Sequence, residues 1–195
     1  MLNKNEIRKT ETEQKIYETA INLFIKQGYK STTIRQIAKA TNVSTSTVFR
    51  FFRSKDDILL RFSNKMRYEL DTYAKTLPID LDAKSKIIAV LLEDIRRVHE
   101  SEVHAKLHLL ELIKTGKLYQ IITERGVFWN IFTEILNHAK LTGNCHADVN
   151  IDILADLIVI LFFNTLSIYF FSGSKIDMGQ YLVDCINTLL SETGL

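Results

Sequence analysis

The chain has 195 residues, of which 46% are hydrophobic, and carries a formal net charge of +2. It contains one proline and seven glycines, which argues against a β-rich fold, because such folds need many turns built from these residues. Two cysteines are too few for a disulfide framework and favour a reducing, cytoplasmic setting. The first residues lack the apolar core of a signal peptide.

Positive charge is concentrated near the N-terminus. Residues 1–62 hold 12 Lys and Arg against 6 Asp and Glu, whereas the remaining residues hold 13 and 17. A basic segment followed by an acidic one is typical of a polyanion-binding module joined to a second region. We therefore predict a module at residues 1–55 and a larger region at residues 56–195.

The first helix is predicted to begin at Thr10, because residues 10–13 match a capping box, and to end before Gly28. Two short helices follow at residues 34–40 and 45–52. Asn42 lies in the turn between them, where its tolerance of the left-handed conformation is useful. The predicted caps of these helices are one of Ser31, Thr32 and Thr33 for the first and Ser44 for the second.

A fourth helix is predicted from its cap at Ser54 to about Leu77, where Pro78 ends it. Glycines at positions 116, 143 and 173 divide the rest of the chain. The remaining helices are predicted at residues 82–100, 102–115, 118–141, 148–172 and 176–191. The predicted fold class is all-α, with about nine helices: an N-terminal three-helix module followed by a larger helical region.

Residues 32–55 have the pattern of a helix-turn-helix. The apolar residues that would face its interior are Ile34, Ile37, Val43, Val48 and Phe52, while Ala38 permits close helix packing. The outward residues of the second short helix are Thr45, Ser46, Thr47, Phe49 and Arg50. Short hydroxyl side chains near a helix N-terminus favour phosphate contacts, since the helix dipole attracts anions there.

This segment resembles the tetracycline-repressor (TetR) family of bacterial regulators. The resemblance covers about residues 10–60 and departs from the family at Asn42, where glycine is usual, and at Phe49, where tyrosine is usual. The loss of the tyrosine hydroxyl predicts one phosphate contact fewer. The residues that carry the resemblance are Phe24, Gly28-Tyr29, Thr33, Ile37-Ala38, Val43-Ser44, Thr47-Val48-Phe49, Phe52, Lys55 and Ile58-Leu59.

The resemblance implies a regulator that binds double-stranded DNA at a pseudo-palindromic operator. It places Arg35 towards the major groove, where an arginine reads guanine or holds a phosphate, and Lys55 towards a phosphate. By this reading the protein is not an enzyme and needs no cofactor. The predicted DNA-binding residues are Thr33, Arg35, Ser44, Thr45, Ser46, Thr47, Phe49, Arg50 and Lys55.

The resemblance also implies a homodimer that responds to a small apolar or amphipathic effector. The predicted dimer interface includes Ile160 and Phe163, because residues 157–174 are uncharged and rich in Ile, Leu and Phe. The predicted effector-binding residues are His108, Trp129, Phe132 and Asn164, with Tyr119 among the surrounding aromatic residues. Repression that the effector relieves is the default for this family, although activation is also possible.

Four alternatives remain open at this stage. Residues 157–174 approach the length of a membrane span, but their polar residues favour a buried helix. His104, His108 and Glu111 share one predicted helix face and would need further ligands to hold a metal, so we predict none. The last two alternatives are a DNA-associated structural protein without an effector and a helical enzyme, which the lack of catalytic motifs disfavours.

Overall fold

The structure, a computed structural model, describes residues 4–116, 118, 125–173 and 175–195. These described residues form nine helices and no strand. In chain order the helices are α1 (Lys4–Gln27), α2 (Ile34–Thr41), α3 (Thr45–Phe51), α4 (Lys55–Thr76), α5 (Ala83–Glu100), α6 (Glu102–Lys114), α7 (Val127–Leu141), α8 (Ile151–Phe171) and α9 (Met178–Leu190).

The chain divides into two compact units, residues 1–64 and residues 65–195. The division falls within α4, whereas the predicted boundary at residue 55 marks the start of that helix. Because α4 is one continuous helix, the two units are joined by regular backbone rather than by a loop.

In the first unit, α1 packs on α2 and α2 packs on α3. Fully buried aliphatic side chains come from each helix, including Ile16 of α1, Ile37 of α2 and Val48 of α3, each with 0% exposure. This confirms the helical stripes that the sequence predicts for these segments, since buried residues three and four positions apart share one helix face.

In the second unit, α8 packs between α7 and α9, and α5 contacts α6, α7 and α9. Phe128 of α7 is central to an aromatic cluster, with its ring centroid 5.0 Å from those of both Phe132 and Phe162. Such edge-to-face pairs add stability beyond the area they bury. α8 is long and apolar enough to cross a membrane, but the core helices of soluble proteins meet the same criterion. In this structure 44% of its most apolar 18-residue stretch is buried.

The structure corrects two predicted helix boundaries. α1 begins at Lys4 instead of Thr10, and the Thr10 hydroxyl donates to the Glu6 carbonyl 3.0 Å away, so Thr10 lies within the helix and does not cap it. The predicted helix at 118–141 is not continuous, because Arg125 has a left-handed φ of 49° and α7 begins at Val127. Residues 117 and 119–124, which include the aromatic residue Tyr119, lie outside the described residues.

Candidate nucleic-acid interface

Thr33 caps the N-terminus of α2 through a reciprocal pair of hydrogen bonds. Its hydroxyl accepts from the Gln36 backbone N–H at 3.2 Å, and the Gln36 side-chain oxygen accepts from the Thr33 backbone N–H at 2.7 Å. The spacing of Thr33 and Gln36 in the sequence is that of a capping box, although Thr33 was predicted only as one of three candidate caps. Thr32, in contrast, is fully buried and donates to the Gly28 carbonyl.

The turn between α2 and α3 is a Schellman motif with Asn42 in the left-handed conformation, at φ 57° and ψ 44°. The Val43 N–H bonds to the Ala38 carbonyl at 3.0 Å, and the Asn42 N–H bonds to the Lys39 carbonyl at 3.2 Å. These bonds satisfy carbonyls at the end of α2 and direct the chain into α3. The predicted left-handed turn at Asn42 is therefore confirmed.

Replacing Asn42 with glycine is expected to stabilise the protein by about 0.5–1 kcal/mol, because glycine adopts a positive φ without steric cost. Thermal unfolding of Asn42→Gly measures this as a higher Tm. The matched control is Asn22→Gly on the exposed face of α1, where glycine in a helix interior should lower the Tm. A lower Tm for Asn42→Gly would contradict the role assigned to this turn.

Ser44 caps α3 and gathers hydroxyl groups at its N-terminus. The Ser44 Oγ accepts from the Thr47 N–H at 3.0 Å and lies 2.7 Å from the Ser46 Oγ and 2.8 Å from the Thr47 Oγ1. Hydroxyls and free backbone N–H groups at a helix N-terminus favour an anion, because the helix dipole is positive there.

One face of α3 is left to solvent. It consists of Thr45, Ser46, Phe49 and Arg50, whereas Thr47 is half-buried and Val48 is fully buried. Phe49 is 51% exposed, which is unusual for a large apolar side chain on so short a helix. The Arg50 guanidinium lies over the Phe51 ring, 5.1 Å from its centroid. The described structure thus exposes four of the five predicted outward residues of α3, and Thr47 is the half-buried exception.

Arg35, in the first turn of α2, is also exposed. No acidic residue lies in the first turn of α2 or of α3. Cationic and hydroxyl groups therefore face solvent together, without a carboxylate in either helix to repel a phosphate backbone.

Lys55 has a different environment from the other predicted DNA contacts. Its ammonium donates to the carbonyls of Tyr29 at 2.8 Å and Thr32 at 2.7 Å, and it lies 4.4 Å from the Tyr29 ring centroid. The Tyr29 hydroxyl in turn bonds to Asp56. Lys55 thus fixes the loop before α2 to the start of α4 and keeps one N–H for a further partner.

The predicted effector-binding residues are distributed between the interior and the surface of the second unit. Phe132 is fully buried, and Trp129 is half-buried, with its indole N–H unbonded within the described structure and the Arg125 guanidinium 4.7 Å from its ring. Burial lowers the pKa of His108 to about 4, as does the charge of Arg67. These three residues are at least partly inside the unit, as an effector site requires.

Asn164 differs from the other three, because it is exposed on the outer side of α8. It follows Ile153, Leu157 and Ile160 at helical spacing on that side, and their exposures are 55%, 39% and 43%. Phe163, predicted for the dimer interface, is half-buried and its ring centroid lies 6.4 Å from that of Phe128, so it also packs within the protomer. Most residues of α8 are apolar, so the sequence alone does not distinguish its inner side from its outer side.

A groove of about 660 Å³ lies elsewhere in the second unit, between the end of α4, the start of α5 and the end of α7. Its lining mixes apolar side chains such as Leu77 and Ile135 with charged ones such as Lys86 and Glu134. None of the four predicted effector-binding residues lines it.

In the described part of the chain, no three His, Cys, Asp or Glu residues lie together in an arrangement that could hold a metal ion. Glu111, one of the three residues considered, is buried and pairs with Lys114 at 3.4 Å. Cys145 and Cys185 are free thiols.

Comparison with known proteins agrees with this geometry. Residues 16–62 match the family model described as bacterial regulatory proteins, tetR family. The chain is 39% identical over 72 residues to the HTH-type transcriptional regulator HbdR of Aromatoleum sp. strain CIB, covering 37% of this chain and 30% of that protein. The chain therefore spans about a third of the length of this curated relative.

A second relative matches over most of both chains. The fatty acid metabolism regulator protein of Bacillus subtilis strain 168 is 23% identical over 167 residues, which is 84% of this chain and 86% of that one. The matches to the N-terminal residues and the longer match to the Bacillus subtilis protein both agree with the predicted resemblance to the TetR family.

Solved structures show the same fold. Thermus thermophilus FadR, a TetR-family transcriptional repressor solved with lauroyl-CoA, has a TM-score of 0.74 at 18% identity, over 91% of this chain and 93% of that chain. FadR from Bacillus subtilis, solved with stearoyl-CoA, has a TM-score of 0.69 at 22% identity, over 93% and 98%. The predicted all-α fold with an N-terminal helix-turn-helix is confirmed.

Proposed function

We propose that this chain, whose residues 16–62 match the tetR family model, is a sequence-specific transcriptional regulator of that family. It binds a pseudo-palindromic operator in cytoplasmic DNA as a homodimer and is released by a small-molecule effector. The observation that carries the proposal is that Arg35 of α2 and the outer residues of α3 are exposed, while neither helix contains an acidic residue.

This surface suits the docking mode of a helix-turn-helix. In that mode the second helix enters the major groove and its N-terminal residues meet base edges, while the preceding helix approaches the backbone. The hydroxyls at the start of α3 supply phosphate or base contacts, and Phe49 offers an apolar face for a thymine methyl group.

Selection from a random pool of duplex DNA at moderate salt tests this function. We expect an inverted repeat whose half-sites are related by one helical turn of about 10 bp or a multiple of it, because the two-fold axis of a dimer imposes its symmetry on the site. Equal binding of unrelated sequences would instead indicate a DNA-associated structural protein and would overturn the regulator function.

Arg35→Ala is expected to weaken binding to the selected operator by about 1–3 kcal/mol, the usual value of a bidentate arginine–guanine contact. Binding to unrelated DNA should change far less, so the ratio of specific to non-specific affinity falls. Fluorescence anisotropy on both DNAs measures the ratio, with Arg53→Ala as an exposed arginine control. An equal loss on both DNAs would assign Arg35 to a phosphate instead of a base.

The proposal of a homodimer is based on the outer side of α8. Apolar side chains exposed along one helix face favour coverage by a partner, because contiguous apolar patches on a protein surface mark interaction sites. The outward stripe of Ile153, Leu157, Ile160 and Asn164, with Phe171 41% exposed at the end of the helix, supplies a self-complementary face for a second copy. Asn164 therefore belongs to the proposed interface and not to the effector site.

The effector is proposed to bind within the second unit, where Trp129 and Phe132 supply apolar surface and His108 a polar contact. The two FadR structures hold acyl-CoA molecules, which supports an amphipathic effector for a chain of the same fold. Because α4 belongs to both units, a shift of its second half on effector binding would move the helix-turn-helix modules of the dimer to a spacing that no longer matches the operator.

A further inference from the structure

An arginine, a tryptophan and two aspartates meet where α7 begins beside the first two turns of α8. Arg125 precedes α7, Trp129 lies in the first turn of α7, and Asp152 and Asp156 lie one turn apart on α8. The Arg125 guanidinium lies over the indole ring, 4.7 Å from its centroid. It also donates to the Asp152 carboxylate at 2.7 Å and lies 3.7 Å from the Asp156 Oδ2. Arg125 therefore contacts each of the other three side chains.

Two buried polar atoms beside Arg125 have no hydrogen-bond partner in the described part of the chain. They are the Nε1 of Trp129, which is a donor, and the Oδ1 of Asp156, which is an acceptor. Among the described residues, the one further side-chain atom of this kind is the Nη1 of Arg61 in the first unit, and the Glu13 carboxylate lies 3.1 Å from it. Because proteins rarely leave buried polar atoms unbonded, a donor and an acceptor beside the same arginine indicate a place for a further polar group.

The charges at this place favour a cation. Two carboxylates, those of Asp152 and Asp156, face a single guanidinium, so negative charge is in excess. The face of a tryptophan ring attracts cations through its quadrupole, more strongly than the ring of tyrosine or phenylalanine does. The Arg125 guanidinium shows which chemistry the ring and the carboxylates accept, namely a cation with N–H donors.

The Arg125 side chain is weakly held in this position. Its backbone has a φ of 49°, a left-handed conformation that is unfavourable for residues other than glycine. The Arg125 side chain is 44% exposed, and the carboxylates that it faces are 51% and 32% exposed. Ion pairs with this much exposure contribute little to stability, so another cation can replace the guanidinium at small cost.

We propose that the Trp129 ring and the carboxylates of Asp152 and Asp156 form a binding site for an organic cation, which displaces the Arg125 side chain. The cationic group of the ligand, a guanidinium or a protonated amine, stacks on the indole and donates to the Asp156 Oδ1. A carbonyl or hydroxyl oxygen of the ligand accepts from the Trp129 Nε1, so both unbonded atoms gain a partner. The site goes beyond the proposed function, because it stands on these side chains whether or not the protein regulates transcription.

Titration of the DNA-free protein with Nα-benzoyl-L-arginine amide tests the site. Trp129 is the single tryptophan of the chain, so its fluorescence reports a cation stacked on its ring. The matched ligand is Nα-benzoyl-L-citrulline amide, whose urea keeps N–H donors and the shape of the guanidinium without its charge. We expect the arginine amide to bind about tenfold more tightly, because hydrogen bonds between charged groups and the cation–π contact favour it. Equal affinities, or no binding of either compound, would overturn the proposal.

Removal of the Arg125 side chain should strengthen binding. Asparagine tolerates the left-handed backbone, so Arg125→Asn vacates the site without disturbing the chain. We expect this variant to bind the arginine amide about tenfold more tightly than the wild type, since the apparent affinity of a site rises with the fraction that is free to bind. Arg96→Gln, which removes an exposed arginine of α5, should leave the affinity unchanged. Weaker binding by Arg125→Asn would contradict displacement of this side chain.

The carboxylate is tested by Asp156→Asn, which keeps the shape of the side chain and removes its charge. This variant should bind the arginine amide about tenfold more weakly and lose most of the preference over the citrulline amide. Glu134→Gln neutralises an exposed carboxylate elsewhere on α7 and should preserve both affinity and preference. An Asp156→Asn protein that still prefers the arginine amide as the wild type does would overturn the proposal.

The cation site and the regulator function fail separately, because none of these titrations contains DNA. If operator selection fails while the arginine amide binds as expected, the regulator function is removed and the cation site stands. If a single operator is selected while the arginine and citrulline amides bind equally, the regulator function stands and the cation site is removed.

Discussion

Ile160→Asp is expected to convert the proposed dimer to monomers and to weaken binding to the proposed operator by at least a thousandfold. Ile160 is 43% exposed in the centre of the outward stripe of α8, so the two-fold axis would bring two unpaired carboxylates into an apolar interface. An unpaired buried charge costs several kcal/mol, and about 4 kcal/mol corresponds to a thousandfold change in a dissociation constant. Sedimentation equilibrium measures the dimer, and anisotropy measures the DNA complex.

Ile113→Asp is a matched control, because Ile113 is 44% exposed and belongs to α6, outside the outward stripe of α8. This variant should remain dimeric and bind the operator as the wild type does. A monomeric wild-type protein at micromolar concentration, or an Ile160→Asp variant that stays dimeric, would show that the outer side of α8 has another partner.

Lys55→Ala is expected to destabilise the first unit by about 2–4 kcal/mol and to weaken binding to all DNA alike. The substitution leaves the carbonyls of Tyr29 and Thr32 without their charged donor, and each such hydrogen bond contributes about 1.5–3 kcal/mol. It also removes the contact of the ammonium with the Tyr29 ring, which adds about 0.5–2 kcal/mol. Thermal unfolding gives the loss of stability directly.

The salt dependence of DNA binding then shows whether Lys55 contacts a DNA phosphate in addition to stabilising the loop before α2. If the third N–H of Lys55 holds a phosphate, the slope of log affinity against log salt should fall by about one. Lys39→Ala, which removes an exposed lysine near the end of α2, is the control and should leave the Tm unchanged. A Lys55→Ala protein as stable as the wild type would contradict the role of this residue in the loop.

Local signals predicted the first unit well, because its elements are fixed by residues near in sequence. Ser44 at the start of α3 and Asn42 in the turn act through hydrogen bonds that span three to five residues. The same kind of signal misled at Thr10. Its hydroxyl is satisfied by a carbonyl one helical turn earlier, so the polar residues that suggested a cap are accommodated inside a longer α1.

Long-range packing decided what the sequence left open in the second unit. Asn164 seemed suited to a buried polar contact, yet it faces outward because the neighbouring positions of α8 pack inward against α7 and α9. Asp94 is the opposite case. It occupies the apolar stripe of α5 together with Leu91 and Val98. A charged residue at a core position of this stripe indicates a buried polar group, although it was not among the predicted site residues.

Hydroxyl-radical footprinting of the protein on its selected operator tests the central claim most directly. A dimer that places α3 of each protomer in a major groove should protect two patches on one face of the duplex, symmetric about the centre and one helical turn of about 10 bp or a multiple of it apart. Stoichiometric titration of the same DNA should give two protomers for each site. Uniform protection along the duplex, or a single unsymmetric patch bound by one protomer, would contradict the claim.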